Sequence, residues 1–189
     1  NLKGPLMKVG QILSTIPEAL PPEYADAFQQ LQSNAPPMNP SFVRRRMRHE
    51  LGGDWEQKFT SFDMNATAAA SLGQVHKAIT LNGENVACKL QYPDMQSAIT
   101  ADLNQLKIIF SIYQMYDQSI KTDDIFEELK DRLFEELDYK REARHQKLYT
   151  HLLRNEDNIH VPQIFDELST DRLLVSQWVS HKPRISSQD

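Results

Sequence analysis

The chain has 189 residues, of which 40% are hydrophobic and 25% charged, enough for one packed domain or a small lobe with a helical extension. Lys and Arg number 21 against 26 Asp and Glu, a formal charge of −5 that makes a general nucleic-acid binder a poor reading. A single cysteine, Cys88, excludes an internal disulfide and fits a reducing compartment, and six histidines without ligand spacing leave no credible zinc site.

In chain order, a first helix is predicted over Leu2 to Ile16, where Leu6, Val9 and Leu13 recur at helical spacing before Pro17. Pro21 and Pro22 lead into a short helix over Glu23 to Leu31, and Ala35 to Pro40 reads as an extended connector. Ser41 to Leu51 is predicted helical, with Ser41 or Asn39 near its N-cap and Gly52 just past its end. From Phe59 the pattern turns to strands. Gly73–Thr80 and Glu84–Gln91 flank Asn82-Gly83, a hairpin signal, and one further strand precedes them. A helix over Met95 to Tyr116 places Ile99, Leu103, Leu106, Phe110 and Tyr113 on one face. A second helix starts after Thr122-Asp123-Asp124 and runs to about Arg154, with Leu129, Leu133, Leu137 and Leu148 on its apolar side. Strands at His160–Phe165 and Arg172–Val179 close the order, which defines an α+β fold with an antiparallel sheet.

Four patches carry candidate chemistry. Lys8 and Gln11 share a helical face around Gly10, where a helix tolerates glycine at a cost of about 1 kcal/mol unless something approaches closely. Ala68-Ala69-Ala70-Ser71 is a small-residue loop leading into a strand; small side chains let backbone N–H groups lie close to phosphates, though alanine permits this less freely than glycine. Val86-Ala87-Cys88-Lys89 puts a lysine on the returning strand, in the pattern that pairs with the α/β-phosphates of ATP in protein kinases. Glu135, Asp138 and Glu142 form one acidic column if their helix is continuous; the plain alternative is a solvated face, the sharper one a carboxylate paired with Lys89. Together, a small-residue loop between strands, a strand lysine, an acidic helix and a closing hairpin give the element order of a kinase N-lobe.

These motifs resemble the UbiB, or aarF-domain, family of atypical kinase-like proteins: KVGQ at Lys8–Gln11, AAASLGQVH at Ala68–His76, VACKLQYP at Val86–Pro93, ELDYKREA at Glu136–Ala143 and LVSQWV at Leu174–Val179. The resemblance implies a protein-kinase-like N-lobe, an antiparallel sheet with helix αC and inserted helices. It implies a helical extension over 1–55, the lobe over 56–180, and 181–189 as the start of an absent C-lobe, so that the chain is an N-terminal fragment. In this resemblance Lys89 is the phosphate-pairing lysine, Glu142 its partner on helix αC, and Ala68, Ala69, Ala70 and Ser71 the alanine-rich replacement for a glycine-rich loop. Lys8 and Gln11 are the extension motif packed over the active site, and Glu136 and Asp138 the ExD pair that contacts it, blocking a protein substrate. Those two side chains would point about 160° apart on an ideal helix, so the helix must bend or the extension must lie across its side. The implied ligand is ATP or ADP with Mg²⁺, and the implied activity of the parent protein is ATP hydrolysis in ubiquinone biosynthesis or membrane-lipid homeostasis. Nucleotide, a membrane surface or lipid, and ubiquinone-biosynthesis proteins are the implied partners, with no nucleic acid. No H-R-D-x-x-x-x-N or D-F-G occurs in the chain, so metal ligands are expected beyond Asp189 and the fragment alone is expected to be inactive.

The rival is a helical or lipid-surface interaction module without nucleotide chemistry. The amphipathic helices suit it, while the basic run Arg44-Arg45-Arg46-Met47-Arg48 prompts a nucleic-acid reading or contact with anionic lipid head groups, though Glu50, Asp54 and Glu56 soon balance the charge. Trp55 and Trp178 are expected to be packing residues. No stretch approaches the ~20 apolar residues that span a bilayer, and the expected location is cytoplasmic or peripheral to a membrane, at the bacterial inner membrane or in mitochondria.

Overall fold

The computed structural model describes residues 38–70, 72–116 and 122–180. The predicted helices before Met38, with Lys8 and Gln11, lie outside the described residues, as do Ser71 and 181–189.

Helix α1 (Pro40–Leu51) starts where the sequence allows it. Pro40 fills a position whose N–H a helix does not use, and the Asn39 side chain accepts from the Ser41 N–H at 2.9 Å, making Asn39 the N-cap. Gly52 ends it at φ 95°, its N–H reaching the Arg48 carbonyl at 3.0 Å. A 3₁₀ turn, Trp55–Lys58, leads to strands β1 (Phe59–Phe62), β2 (Ala68–Ala70), β3 (Gly73–Thr80) and β4 (Asn85–Gln91). Helices α2 (Met95–Tyr116), α3 (Thr122–Leu137) and α4 (Tyr139–Leu152) follow, then a 3₁₀ turn at Asp166–Leu168 and β5 (Leu173–Gln177).

The sheet is antiparallel, in the order β1-β3-β4-β5, and β2 pairs with β3 as well. Registers Phe59↔Thr80 to Phe62↔Ala78 and Ala68↔Val75 to Ala70↔Gly73 place β1 and β2 on successive parts of the same β3 edge. The alanine-rich stretch, expected as a loop, is therefore a strand, and the turn falls between Ala70 and Gly73. The Asn82-Gly83 turn joins β3 to β4, with Gly83 at φ 83° donating to the Thr80 carbonyl at 3.0 Å.

Alternation along β4 divides the molecule. Val86, Cys88 and Leu90 point into a core closed by Val43 and Met47 of α1, by Trp55 and Phe59, and by Leu173 and Val175 of β5. Trp55, Phe59 and Phe62 meet edge to face, with centroids 5.2 to 6.4 Å apart. Cys88 is a free, fully buried thiol here, and burial pushes its pKa up to about 12. A buried polar chain crosses the same side. His76 Nδ1 lies 2.8 Å from the Asp63 carbonyl, His76 Nε2 lies 2.7 Å from Gln74 Nε2, and Gln74 Oε1 accepts from the Met38 N–H at 2.7 Å. Every contact is satisfied by a neutral ring carrying its proton on Nδ1. Ala87 and Lys89 project from the opposite face of β4, half-buried.

α2 and α3 pack on each other through Ile99, Leu103, Leu129 and Leu133. Asp102 is buried beside them with neither carboxylate oxygen hydrogen-bonded among the described residues, and desolvation raises its pKa.

Two further expectations need correction. The helix predicted from about Asp124 to Arg154 is two helices, broken at Asp138 (φ −84°, ψ 82°). Of the helical bonds that the break leaves unmade, the one from the Arg141 N–H to the Leu137 carbonyl has each half taken elsewhere. Asp138 Oδ1 accepts from the Arg141 N–H at 2.8 Å, and Gln91 Nε2 donates to the Leu137 carbonyl at 2.8 Å. The break changes the apolar face, so Leu129 and Leu133 are buried, Leu137 half-buried and Leu148 exposed. Likewise His160–Phe165 is no regular strand: only Ile164 bridges to Ser176, and Pro162 has no N–H to give.

Candidate functional site

Register sets the site. Lys89 sits opposite Val75 on β3 and Leu174 on β5, in the middle of the sheet and on the face away from α1. α4 packs onto this face through Tyr139 and Ala143 against Ile164 and Leu174. One turn into α4, Glu142 meets the lysine: Nζ donates to Oε1 at 2.8 Å and to Oε2 at 2.7 Å. Both side chains keep some solvent contact, 26% and 40% exposed, so the pair contributes little stability, and its consequence is position. Beneath it, the Lys89 ammonium lies 4.8 Å from the centroid of the Tyr139 ring. Burial, then the nearby charges of Glu142 and Glu136, raise the Tyr139 pKa, so the phenol stays neutral.

Val75 and Ala87 flank Lys89 on the same face, both half-buried and uncharged. Ala68–Ala70 forms the outer arm of the hairpin at the end of β3 nearest Lys89, with Ala68 and Ala69 exposed and Ala70 half-buried. The arrangement is a strand amine held out by a carboxylate, an apolar strip beside it, and a small-residue hairpin at one end. Chemically, that can receive a flat apolar ring and a polyanion.

The remaining candidate residues divide. Of the expected acidic column, Glu142 pairs with Lys89, Glu135 bonds Arg141 at 2.5 Å, and Asp138 caps α4 with Arg144 3.9 Å away. The column does not exist as one stripe, because the break at Asp138 separates it. Glu136 is half-buried. Contact of Glu136 and Asp138 with Lys8 and Gln11 falls outside the described residues, as does the position of Ser71. In the basic run, Arg44 lies 3.9 Å from Glu56, Arg45 covers the Phe42 ring, and Arg46 turns inward toward Glu50 at 3.8 Å and the Tyr92 carbonyl at 3.5 Å. Trp55 is buried in the core, while half-buried Trp178 lies under the Lys77 ammonium at 5.4 Å. A cavity of about 570 Å³ borders Arg46, Gln91, Leu137, Asp138 and Arg172, without Lys89 or Glu142 in its wall.

Sequence reasoning missed Val75 and Ala87 as neighbours of the lysine, Tyr139 beneath it, and Gln91 as the tie between β4 and the α3–α4 junction. Alternation from Lys89 marks Ala87, and the hairpin register marks Val75. Nothing local marks Gln91, since its partner is 46 residues away.

The fold and site define a kinase-like N-lobe: a twisted antiparallel sheet, a strand lysine, and a helix whose glutamate grips it. The ABC1 atypical kinase-like domain matches residues 30–186, and the chain belongs to that family. It is 35% identical over 184 residues to "Atypical kinase coq-8, mitochondrial" of Caenorhabditis elegans, covering 97% of this chain and 24% of that protein. It is 34% identical over 175 residues to "Atypical kinase COQ8, mitochondrial" of Saccharomyces cerevisiae, covering 92% of this chain and 35% of that one. Against "AarF domain-containing protein kinase 1" of Mus musculus, identity is 36% over 177 residues, covering 94% and 34%. Among solved structures, Rv3197 of Mycobacterium tuberculosis in complex with erythromycin is similar, with TM-score 0.68 and 34% identity over 96% of this chain and 46% of that one. The chain thus spans about a quarter to a third of the curated relatives it matches. No helix among the described residues is long and apolar enough to cross a membrane.

Proposed function

We propose that this chain is the nucleotide-binding lobe of an atypical kinase-like ATPase that serves ubiquinone biosynthesis or membrane-lipid homeostasis. The observation that carries the reading is the two-oxygen grip of Glu142 on Lys89, beside the alanine hairpin. Lys89 pairs with the α/β-phosphates of ATP or ADP, Glu142 holds its amine in place, and Ala68–Ser71 wraps the phosphates. Val75 and Ala87 offer the apolar strip on which adenine lies. Lys8, Gln11, Glu136 and Asp138 form the regulatory contact that keeps protein substrates out and leaves hydrolysis as the outcome. Among the described residues no three His, Cys, Asp or Glu side chains gather to hold a metal. The Caenorhabditis elegans and Saccharomyces cerevisiae relatives are named mitochondrial and two Arabidopsis thaliana relatives chloroplastic, which suits a peripheral role at an organelle membrane.

The test is nucleotide titration of the full-length protein and its Lys89→Ala variant. Removing a charge-assisted contact worth about 1.5–3 kcal/mol weakens ATP binding by roughly tenfold or more. Unchanged affinity would instead favour an interaction module that uses the helices and not the lysine.

A further inference from the structure

Leu72, in the turn of the alanine hairpin, is 2% exposed. It does not fold back onto the sheet core. It joins the apolar cluster of Met95, Ile99, Leu103, Leu129 and Leu133, which is the seam between α2 and α3, with Tyr92 packed alongside. The backbone is fixed at the same place: the Tyr92 N–H donates to the Leu72 carbonyl at 3.1 Å. At Gly73 a Cβ would stand 2.3 Å from the Leu90 carbonyl oxygen, so β3 and β4 approach here as only glycine allows. The turn of a hairpin whose outer strand carries exposed alanines is thus pinned at one residue, and the pin sits in the α2–α3 seam, not in the clusters behind the sheet or under α4.

We propose that Leu72 is a positioning residue, and that the α2–α3 pair sets the posture of the alanine hairpin through it. This rests on the nucleotide-binding reading of the same site. The hairpin takes the posture that meets phosphates while Leu72 is seated. Anything that parts α2 from α3 unseats Leu72, releases the hairpin, and lowers affinity for phosphates without touching adenine or Lys89. The helices inserted between the strand of Lys89 and the helix of Glu142 are then a control surface for the nucleotide.

Two measurements on the full-length protein separate this from general loosening: hydrogen exchange of the amides in 68–73, and titration with MgATP and, separately, with adenosine. In Leu72→Ala and Leu129→Ala the hairpin amides lose protection, while Leu72→Met keeps it. If release leaves about a tenth of the molecules in the competent posture, ATP binds about tenfold more weakly in the two alanine variants. Adenosine, which has no phosphate, binds them as it binds the parent. Unchanged exchange at 68–73 in both alanine variants overturns the proposal, and so does parallel weakening of ATP and adenosine. If Leu129→Ala does not fold, Leu72→Val against Leu72→Ala supplies the graded comparison. If the parent binds neither ligand, the nucleotide reading fails, and the exchange data alone decide whether the helices hold the hairpin.

Discussion

Glu142 reaches Lys89 because its helix begins afresh at Asp138, and that restart depends on two side chains that divide one backbone bond between them. Gln91 is 4% exposed and donates to the Leu137 carbonyl at 2.8 Å; Gln91→Met keeps the bulk and removes the donor. A buried acceptor left unmet costs about 1–3 kcal/mol, and half-buried Leu137 recovers some water, giving about 1–2 kcal/mol. Asp138→Ala removes an N-cap, worth about 1 kcal/mol. Independent effects would sum to about 2–3 kcal/mol. In the double variant, however, the Arg141 N–H and the Leu137 carbonyl are both vacant, and they are the i+4 and i partners of an unbroken helix. They close on each other and return about 1 kcal/mol, so the double variant is less destabilised than the sum. Urea unfolding of the parent, both single variants and the double variant gives the coupling directly. Additivity within about 0.5 kcal/mol would refute this account of the break.

Further outcomes follow from other sites. Gly73→Ala drives a Cβ against the Leu90 carbonyl backbone, and overpacking of about 1–3 kcal/mol lowers Tm by several degrees in a scanning melt. Asp102 has a folded-state pKa above its ordinary 3.8, so the folded chain binds the proton more tightly and stability drops as pH rises through that interval. Asp102→Asn therefore gains over the parent at pH 7, and the gain shrinks toward pH 4 in paired urea titrations; a pH-independent difference would count against a buried carboxyl. Burial holds His76 below its ordinary 6.5, so the unfolded chain takes the proton first. The stability tied to the neutral ring is whole above about pH 6.5 and is lost as pH falls toward the folded pKa, so the parent weakens more steeply than His76→Asn between pH 7 and 5. Equal slopes would show that the Gln74–His76 chain does not need a neutral ring.

Local signals carried much of the fold. The caps at Asn39 and Gly52, the Asn82-Gly83 turn and the span of α2 are readable because each depends on residues close by in sequence. The break at Asp138 was not readable as such. It lies in a Glu- and Leu-rich run with strong helical preference, and half of its cause comes from Gln91 on a distant strand. The alanines gave the wrong element for a related reason. Alanine has weak strand preference, and pairing with Gly73–Val75 overrides it. At the site, lysine and glutamate were legible from motif resemblance, and the meeting of their side chains is a matter of register and helix restart. The residues between and beneath them, Val75, Ala87 and Tyr139, carry no charge pattern to announce them.

Cys88 adjoins Lys89 in the chain and lies across the sheet from it, sealed and protonated. A thiol reagent in solution can reach it only when the core around it opens, by α1 lifting from the sheet or by the strand itself parting. Since it is the chain's one sulfhydryl, its slow labelling by an alkylating dye times the opening of the core behind the strand that presents the amine. No reporter has to be engineered in to read it.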